Sequence, residues 1–251
     1  MPEIIGMTKE ELINLDPLGI DRGLSEEEIV YIAKTLDSYW EYDYQAADEG
    51  KVGMHAILKS ERHSDGFFVS RIMLQYPDIR AIMADQLVLR FQAENTLNQL
   101  MLPRPDWVAG IPDGATELGQ DVAKALGVRT AEMKKEDGRI VLVSSIGPGE
   151  ILLLIEDFCT RGTGFKEAVS DILFKQPKVK FLPYEFVIIN RGGLREIKVE
   201  GFDLPFRIVA AAEHRVNDWE PAECPLCKMG SKPIKPKATE ENWRLITTSQ
   251  Q

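Results

Sequence analysis

The stretch Ile151-Leu152-Leu153-Leu154-Ile155-Glu156-Asp157-Phe158-Cys159-Thr160-Arg161-Gly162-Thr163-Gly164 constrains this chain more than any other. An unbroken aliphatic run reads as a strand buried on both faces, and such strands lie inside parallel sheets covered by helices. Two carboxylates follow where the strand is expected to end. A turn of hydroxyls and glycines comes next, and it opens into the helical pattern from Phe165 to Leu173. Glycines let the backbone aim its N–H groups inward, and a helix N-terminus adds partial positive charge, so this order builds an anion site. The carboxylates beside it would repel a phosphate and are suited to hydroxyls or a metal. Phosphate and polyol side by side point to a sugar phosphate.

Alternating strands and helices surround this stretch from Trp107 onward. Trp107 to Ile111, Val128 to Met133, Arg139 to Val143 and Phe186 to Ile189 read as strands, and Glu117 to Leu126 as a helix closed by Gly127. Glu196 to Val199 and Phe206 to Ala212 read as an antiparallel addition at the sheet edge. The pattern predicts an α/β fold, a mostly parallel sheet flanked by helices, with ligands at the carboxyl ends of its strands. The loops 110–116, 156–164 and 190–193 then converge at one end.

Upstream, Ser25 caps a helix carrying Ile29, Ile32, Ala33 and Leu36, and a long helix follows Pro77 with Ile79, Ile82, Met83, Leu87, Phe91 and Leu97 on its apolar side. Between them, Gly53 to Ser70 reads as a hairpin turning at Asp65-Gly66. Three segments result: 1–104, helices and a hairpin hood; 105–216, the α/β core; 217–251, a C-terminal extension. Its Lys/Pro stretch from Ser231 to Lys237 is expected to be extended. There is no internal repeat.

A net charge of −10 and a pI near 5.0 argue against broad nucleic-acid or anionic-membrane binding, so a phosphate site must be made locally. No signal peptide or membrane-length apolar run is apparent, and an odd count of three cysteines gives no disulfide framework. A cytoplasmic setting is expected. Cys224-Pro225-Leu226-Cys227 has the spacing of half a zinc site. With His55, His63 and His214 scattered along the sequence, the cysteines read as small buried residues of a turn, and a zinc shared between two subunits is the alternative.

Glu156, Asp157, Thr160, Gly162 and Thr163 match the signature of the type I phosphoribosyltransferases, in which a strand, two acids and a Thr-x-Gly-Thr loop bind phosphoribosyl pyrophosphate. The resemblance implies that the whole loop, Glu156, Asp157, Phe158, Cys159, Thr160, Arg161, Gly162, Thr163 and Gly164, contacts that substrate. Ile111, Pro112, Asp113 and Gly114 lie where the family has its pyrophosphate loop, here without a lysine. Within the family the chain looks closest to the orotate phosphoribosyltransferases. Leu58-Lys59-Ser60 leading to Phe67-Phe68 resembles their N-terminal segment, with Glu61 in place of the usual glycine. Lys59, Phe67 and Phe68 are thereby implied to lie against the pyrimidine, although a solvated hairpin with its two aromatics on opposite faces is an equal reading of the residues alone. Asn190-Arg191 resembles a strand end in Asp-Arg, which implies that Arg191 binds the orotate carboxylate; a lone arginine there would otherwise read as a surface ion pair.

Lys134 and Lys135 match basic positions of a mobile catalytic loop that, in the family, reaches into a partner's site. The loop is short here and has no histidine, and a plain basic turn is the other reading. Arg139 enters the next strand. The resemblance runs from about Gly53 to Lys237. It implies Mg²⁺ bound through substrate near Asp157, a homodimer, small-molecule substrates, and catalysis carried by Asp157, Glu156, Lys134 and Lys135. The expected activity is orotate phosphoribosyltransferase; the alternatives are a type I enzyme for another nucleobase and a catalytically silent regulatory protein that binds phosphoribosyl pyrophosphate.

Overall fold

The aliphatic run folds as expected into an interior strand. In the computed structural model, which describes residues 3–97 and 103–251, the core strands and helices are β1 (Trp107–Gly110), α1 (Thr116–Leu126), β2 (Arg129–Thr130), β3 (Ile151–Cys159), α2 (Thr163–Lys175), β4 (Lys180–Asn190), β5 (Glu196–Ile197) and β6 (Phe206–Glu213). The sheet order is β5-β6-β4-β3-β1-β2, and every neighbouring pair is parallel except β5 with β6. Two sequence readings change here. Phe206–Glu213 is an integral parallel strand beside β4, and only the short β5 is antiparallel. Glu156 and Asp157 lie inside β3, which runs on to Cys159 because Val187, Ile189 and Asn190 of β4 continue to pair with it.

Alternation along β3 divides the apolar interior into two layers. Leu153 and Ile155 face a core made with Leu118 and Val122 of α1 and with Ile79, Ile82, Met83 and Leu87 of the long helix Pro77–Leu97. Leu152 and Leu154 face the opposite core, with Phe165, Ala168, Val169 and Ile172 of α2. Residues from both sides of position 104 therefore share one core. The side chain of Leu97, expected on the apolar face of the long helix, lies outside the described residues, as do Met1 and Pro2. Ser25 caps the helix Glu26–Thr35 as read, and its capping box is closed by Glu28.

The hairpin departs from its predicted turn. Met54–Ile57 pairs with His63–Ser64, so the chain reverses through Leu58 to Arg62 rather than at Asp65-Gly66. Glu61 takes φ 61°, a left-handed conformation that suits the glycine it replaces. Gly66–Phe68 instead pairs with Tyr39–Glu41. Arg139–Leu142 does not join the main sheet: it forms an antiparallel hairpin with Met133–Glu136, turning on Asp137-Gly138, both at positive φ. Lys134 and Lys135 thus sit on a strand of this hairpin.

The C-terminal extension packs on the hood. Asp218–Trp219 pairs with His63–Ser64, Lys232–Ile234 runs parallel to Met54–Ile57, and an unanticipated helix, Glu240–Thr248, follows. Hood and extension share a third apolar cluster containing Trp40, Tyr42, Phe67, Cys224, Leu226 and Ile246. The histidines scattered in sequence are not all scattered in space, since His55 and His63 converge there with Cys224 and Cys227. Among the described residues no helix is long and apolar enough to cross a membrane.

Candidate active site

The carboxyl ends of β1, β3 and β4 meet at one edge of the core. Adjacent residues of a strand face opposite ways, so Glu156 and Asp157 enter different surroundings. Asp157 points toward the loop after β1. A Cβ added at Gly114 would lie 2.1 Å from Asp157 Oδ2, so only glycine lets the pyrophosphate-type loop approach this closely. Asp157 Oδ1 accepts from the N–H of Phe158, and Asp157 makes no ion pair among the described residues. An oxygen-only, anionic group of this kind fits a hard cation such as Mg²⁺.

Glu156 turns under the start of α2, where its Oε1 lies 2.6 Å from a Cβ added at Gly164. There it gathers with Cys159 and with Glu185 of β4, ligand atoms lying within 4.8 Å of one another. Glu185 is fully buried, and among the described residues neither of its carboxylate oxygens has a hydrogen-bond partner. Burial, then the neighbouring Glu185, pushes Glu156 well above the ordinary carboxylate value, and burial also raises Glu185. Burial likewise pushes the Cys159 thiol up. Two carboxylates enclosed this closely resist carrying two negative charges at once.

The phosphate-type loop is built as its composition suggests. Gly162 is left-handed at φ 64° and starts α2, and no side chain caps the helix and no acid occupies its first turn. Its first N–H groups are thereby left to an anion. Thr160 Oγ1 accepts from Arg191 Nη2 at 2.6 Å. Arg161 turns away from the helix start to Asp218, at 3.2 and 3.3 Å, and Arg62 of the hood shares the same carboxylate at 2.9 Å.

Arg191 follows β4 directly. Its guanidinium stands 5.9 Å from the centroid of Phe158, and its enclosed Nε has no acceptor among the described residues. Burial pulls its pKa down while the nearby Asp157, Cys159 and Glu156 oppose that. Phe68 packs 4.8 Å from Phe158 and stacks on Tyr39 at 3.9 Å. Tyr39 Oη is 2.8 Å from Nε2 of His214. Phe67 does not share this face: it packs toward Trp243 and lies under Lys237, 5.9 Å from the ring centroid. Strand alternation wins over the expectation that both aromatics lie against one ligand. Lys59 is exposed at the hood turn.

The basic groups come from unexpected places. Lys135 Nζ reaches Asp113 Oδ2 at 3.0 Å within the same chain, whereas Lys134 pairs with Glu136 on its own hairpin. Lys237 is exposed as a residue, yet its ammonium end is crowded: desolvation lowers its pKa, Arg191, Arg71 and Lys135 add to that, and Asp157 opposes it. Arg71 and Lys237 also line a cleft of about 730 Å³ with Ile72, Gln75 and Trp243. The sequence reading missed Glu185, Arg71, Lys237 and Tyr39. A glutamate inside the apolar run Leu182 to Ile189 is a signal for the first; a lysine in a Lys/Pro tail carries none.

No family profile matches the chain. The solved structure of orotate phosphoribosyltransferase from Aeropyrum pernix superposes on it with a TM-score of 0.50 at 16% identity, covering 74% of this chain and 93% of that one. The fold is that of the type I phosphoribosyltransferases. In sequence, the chain is similar to curated orotate phosphoribosyltransferases. That of a Nitratiruptor species is 28% identical over 194 residues, spanning 72% of this chain and 90% of the relative. That of Pelotomaculum thermopropionicum is 29% identical over 184 residues, spanning 72% and 87%. On a type I phosphoribosyltransferase fold, the acids of β3, the uncapped start of α2 and the loop at Gly114 all lie at the carboxyl edge of the sheet.

Proposed function

We propose that the protein is an orotate phosphoribosyltransferase, joining orotate to phosphoribosyl pyrophosphate and releasing orotidine monophosphate and pyrophosphate in pyrimidine synthesis. The observation that carries the reading is Arg191. It is a half-buried residue with an enclosed Nε that has no acceptor among the described residues, set against the aromatic group of Phe158 and Phe68 and one strand away from the sugar-binding acids. A planar carboxylate on an aromatic ring is the ligand such a group suits.

In this reading the N–H groups at the start of α2, with Thr160 and Thr163, hold the 5′-phosphate. Asp157 holds the ribose hydroxyls, and Glu156, on the other face of the strand beside Glu185, supports the start of α2 from beneath. The C1–oxygen bond to pyrophosphate breaks with its electron pair leaving on oxygen. The pyrimidine nitrogen supplies the pair for the new bond as its proton passes to the departing pyrophosphate. The ribose is cationic between these events, and the fixed negative charge of Asp157 stabilises it there, so catalysis is mainly positioning and electrostatics. Lys135, Lys237 and Arg71 offset the charge of the leaving pyrophosphate, and Lys134 stands further out. Mg²⁺, carried in with the substrate oxygens and held on the protein side by Asp157, would supply further charge neutralisation of the pyrophosphate. Phe68 and Arg191 select the base. Phe67, packed toward Trp243, and Lys59, exposed at the hood turn, take no part in that selection. A homodimer and a cytoplasmic setting belong to the same reading.

The test is purified protein with orotate, phosphoribosyl pyrophosphate and Mg²⁺, followed by the loss of orotate absorbance, alongside a panel of purine and pyrimidine bases. Turnover of orotate above the other bases is expected. Turnover of a different base alone would overturn the substrate, and binding of phosphoribosyl pyrophosphate without product from any base would overturn the reaction.

A further inference from the structure

The hood and the C-terminal extension meet at four side chains that the reaction does not use. His55 Nε2 lies 3.0 Å from His63 Nδ1, 3.6 Å from Cys224 Sγ and 3.5 Å from Cys227 Sγ, and Cys227 Sγ is 3.2 Å from His63 Nδ1. All four atoms fall within 4.8 Å of one another. A tetrahedral zinc with bonds of about 2.0 Å to nitrogen and 2.3 Å to sulfur has edges of roughly 3.3 Å between nitrogens, 3.5 Å from nitrogen to sulfur and 3.8 Å between sulfurs. The nitrogen–nitrogen and the three nitrogen–sulfur distances given above lie within about 0.3 Å of those edges. We propose that His55, His63, Cys224 and Cys227 form a structural zinc site within one chain.

The surroundings favour a metal over a plain apolar turn. His55 and Cys224 are at most 1% exposed and His63 is 7% exposed, so the ring nitrogens and sulfurs that face one another are withdrawn from water. The second nitrogen of His55 is already engaged: Nδ1 is 2.8 Å from Ser231 Oγ, which donates in turn to the carbonyl of Gly53 at 3.2 Å. That chain makes Nδ1 the protonated nitrogen and leaves the Nε2 lone pair facing the cluster, the arrangement a ligating histidine requires. Ser231 is itself delivered by the cysteine turn, since its N–H bonds the carbonyl of Leu226. Two thiolates and two neutral imidazoles around a dication carry no net charge, which suits an enclosed position. All four positions are filled by protein, the closed arrangement of a structural rather than a catalytic zinc.

The site would fasten the extension to the hood. It ties the Met54–Ile57 and His63–Ser64 hairpin to the turn that precedes the strand Lys232–Ile234, in a sheet too small to carry a core of its own. Lys237 stands a few residues beyond that strand, so the position of a cationic group of the active site depends on the clamp.

Full-length protein, purified after expression with added zinc and dialysed, is analysed for bound metal. One equivalent of zinc per chain is expected, retained in His214→Gln and lost in Cys224→Ser and Cys227→Ser. Because the cysteine variants can fail to fold, the wild-type protein reconstituted with Co²⁺ is measured as well. The intense visible bands of a tetrahedral centre and a thiolate-to-cobalt charge-transfer band are expected. Wild-type protein with far less than one equivalent of zinc and no cobalt–thiolate band overturns the proposal, as does full zinc retention in the Cys224→Ser/Cys227→Ser double variant. These readouts are independent of turnover, so failure of the catalytic reading leaves them unaffected.

Discussion

Glu156 and Asp157 are neighbours in sequence with opposite environments. Asp157 makes no ion pair among the described residues and faces the loop at Gly114; Glu156 is enclosed beside Glu185. Replacing Asp157 with Asn keeps shape and removes charge, so kcat should fall by roughly a hundredfold or more while the melting temperature stays near wild type. Steady-state kinetics with a thermal melt checks this, and near-normal turnover would remove the role given to Asp157. Glu185 leads to a stability prediction. Its folded pKa and that of Glu156 are raised above the ordinary 4.5. Between the unfolded and folded values the native state binds more protons than the unfolded chain. The stability associated with the pair is therefore fully present below the unfolded value and is lost as pH rises through the folded one. Glu185→Gln removes part of that loss, so its melting temperature should gain on wild type as pH rises from about 5 to 8. A gap that stays constant across the series would contradict the raised folded values of the two glutamates.

At the level of elements, the basic hairpin Met133–Glu136 and Arg139–Leu142 reaches the site through the ion pair of Lys135 with Asp113. Both side chains are well exposed, and ion pairs of that kind contribute about 0–1 kcal/mol. Lys135→Ala should leave the melting temperature nearly unchanged while kcat drops roughly tenfold or more, because the lysine would act on charge that develops in the reaction. An unchanged kcat would return the hairpin to the status of a plain basic turn. These elements also show what a sequence can disclose. β3 and the loop after it are legible because an apolar run, an acid pair and a glycine turn are all local patterns. The hood turn is not, because Asp65-Gly66 has good turn chemistry, yet pairing of His63–Ser64 with Met54–Ile57 and of Gly66–Phe68 with Tyr39–Glu41 decides the matter over long range. The parallel placement of β6 is hidden for a similar reason: its alternation is the same in either direction.

For the molecule as a whole, the extension beyond residue 217 is part of the working structure rather than a tail. It completes the hood sheet, contributes half of the Cys/His cluster and delivers Lys237 to the neighbourhood of Asp157 and Arg191. Lys237→Ala should raise KM for phosphoribosyl pyrophosphate several-fold with little change in KM for orotate, measured by varying each substrate in turn. Equal effects on both would place the lysine at the base instead. The sequence carries no sign of this, because lysines and prolines in alternation describe an exposed strand and give no hint of the partner it joins. The parallel order of the sheet has one more consequence, in time rather than space. β3 needs β1 from before it and β4 from after it, and the cationic end needs residue 237. During synthesis, the phosphate loop emerges long before the segments that close around it, so the chain acquires its ligand only when it is almost finished.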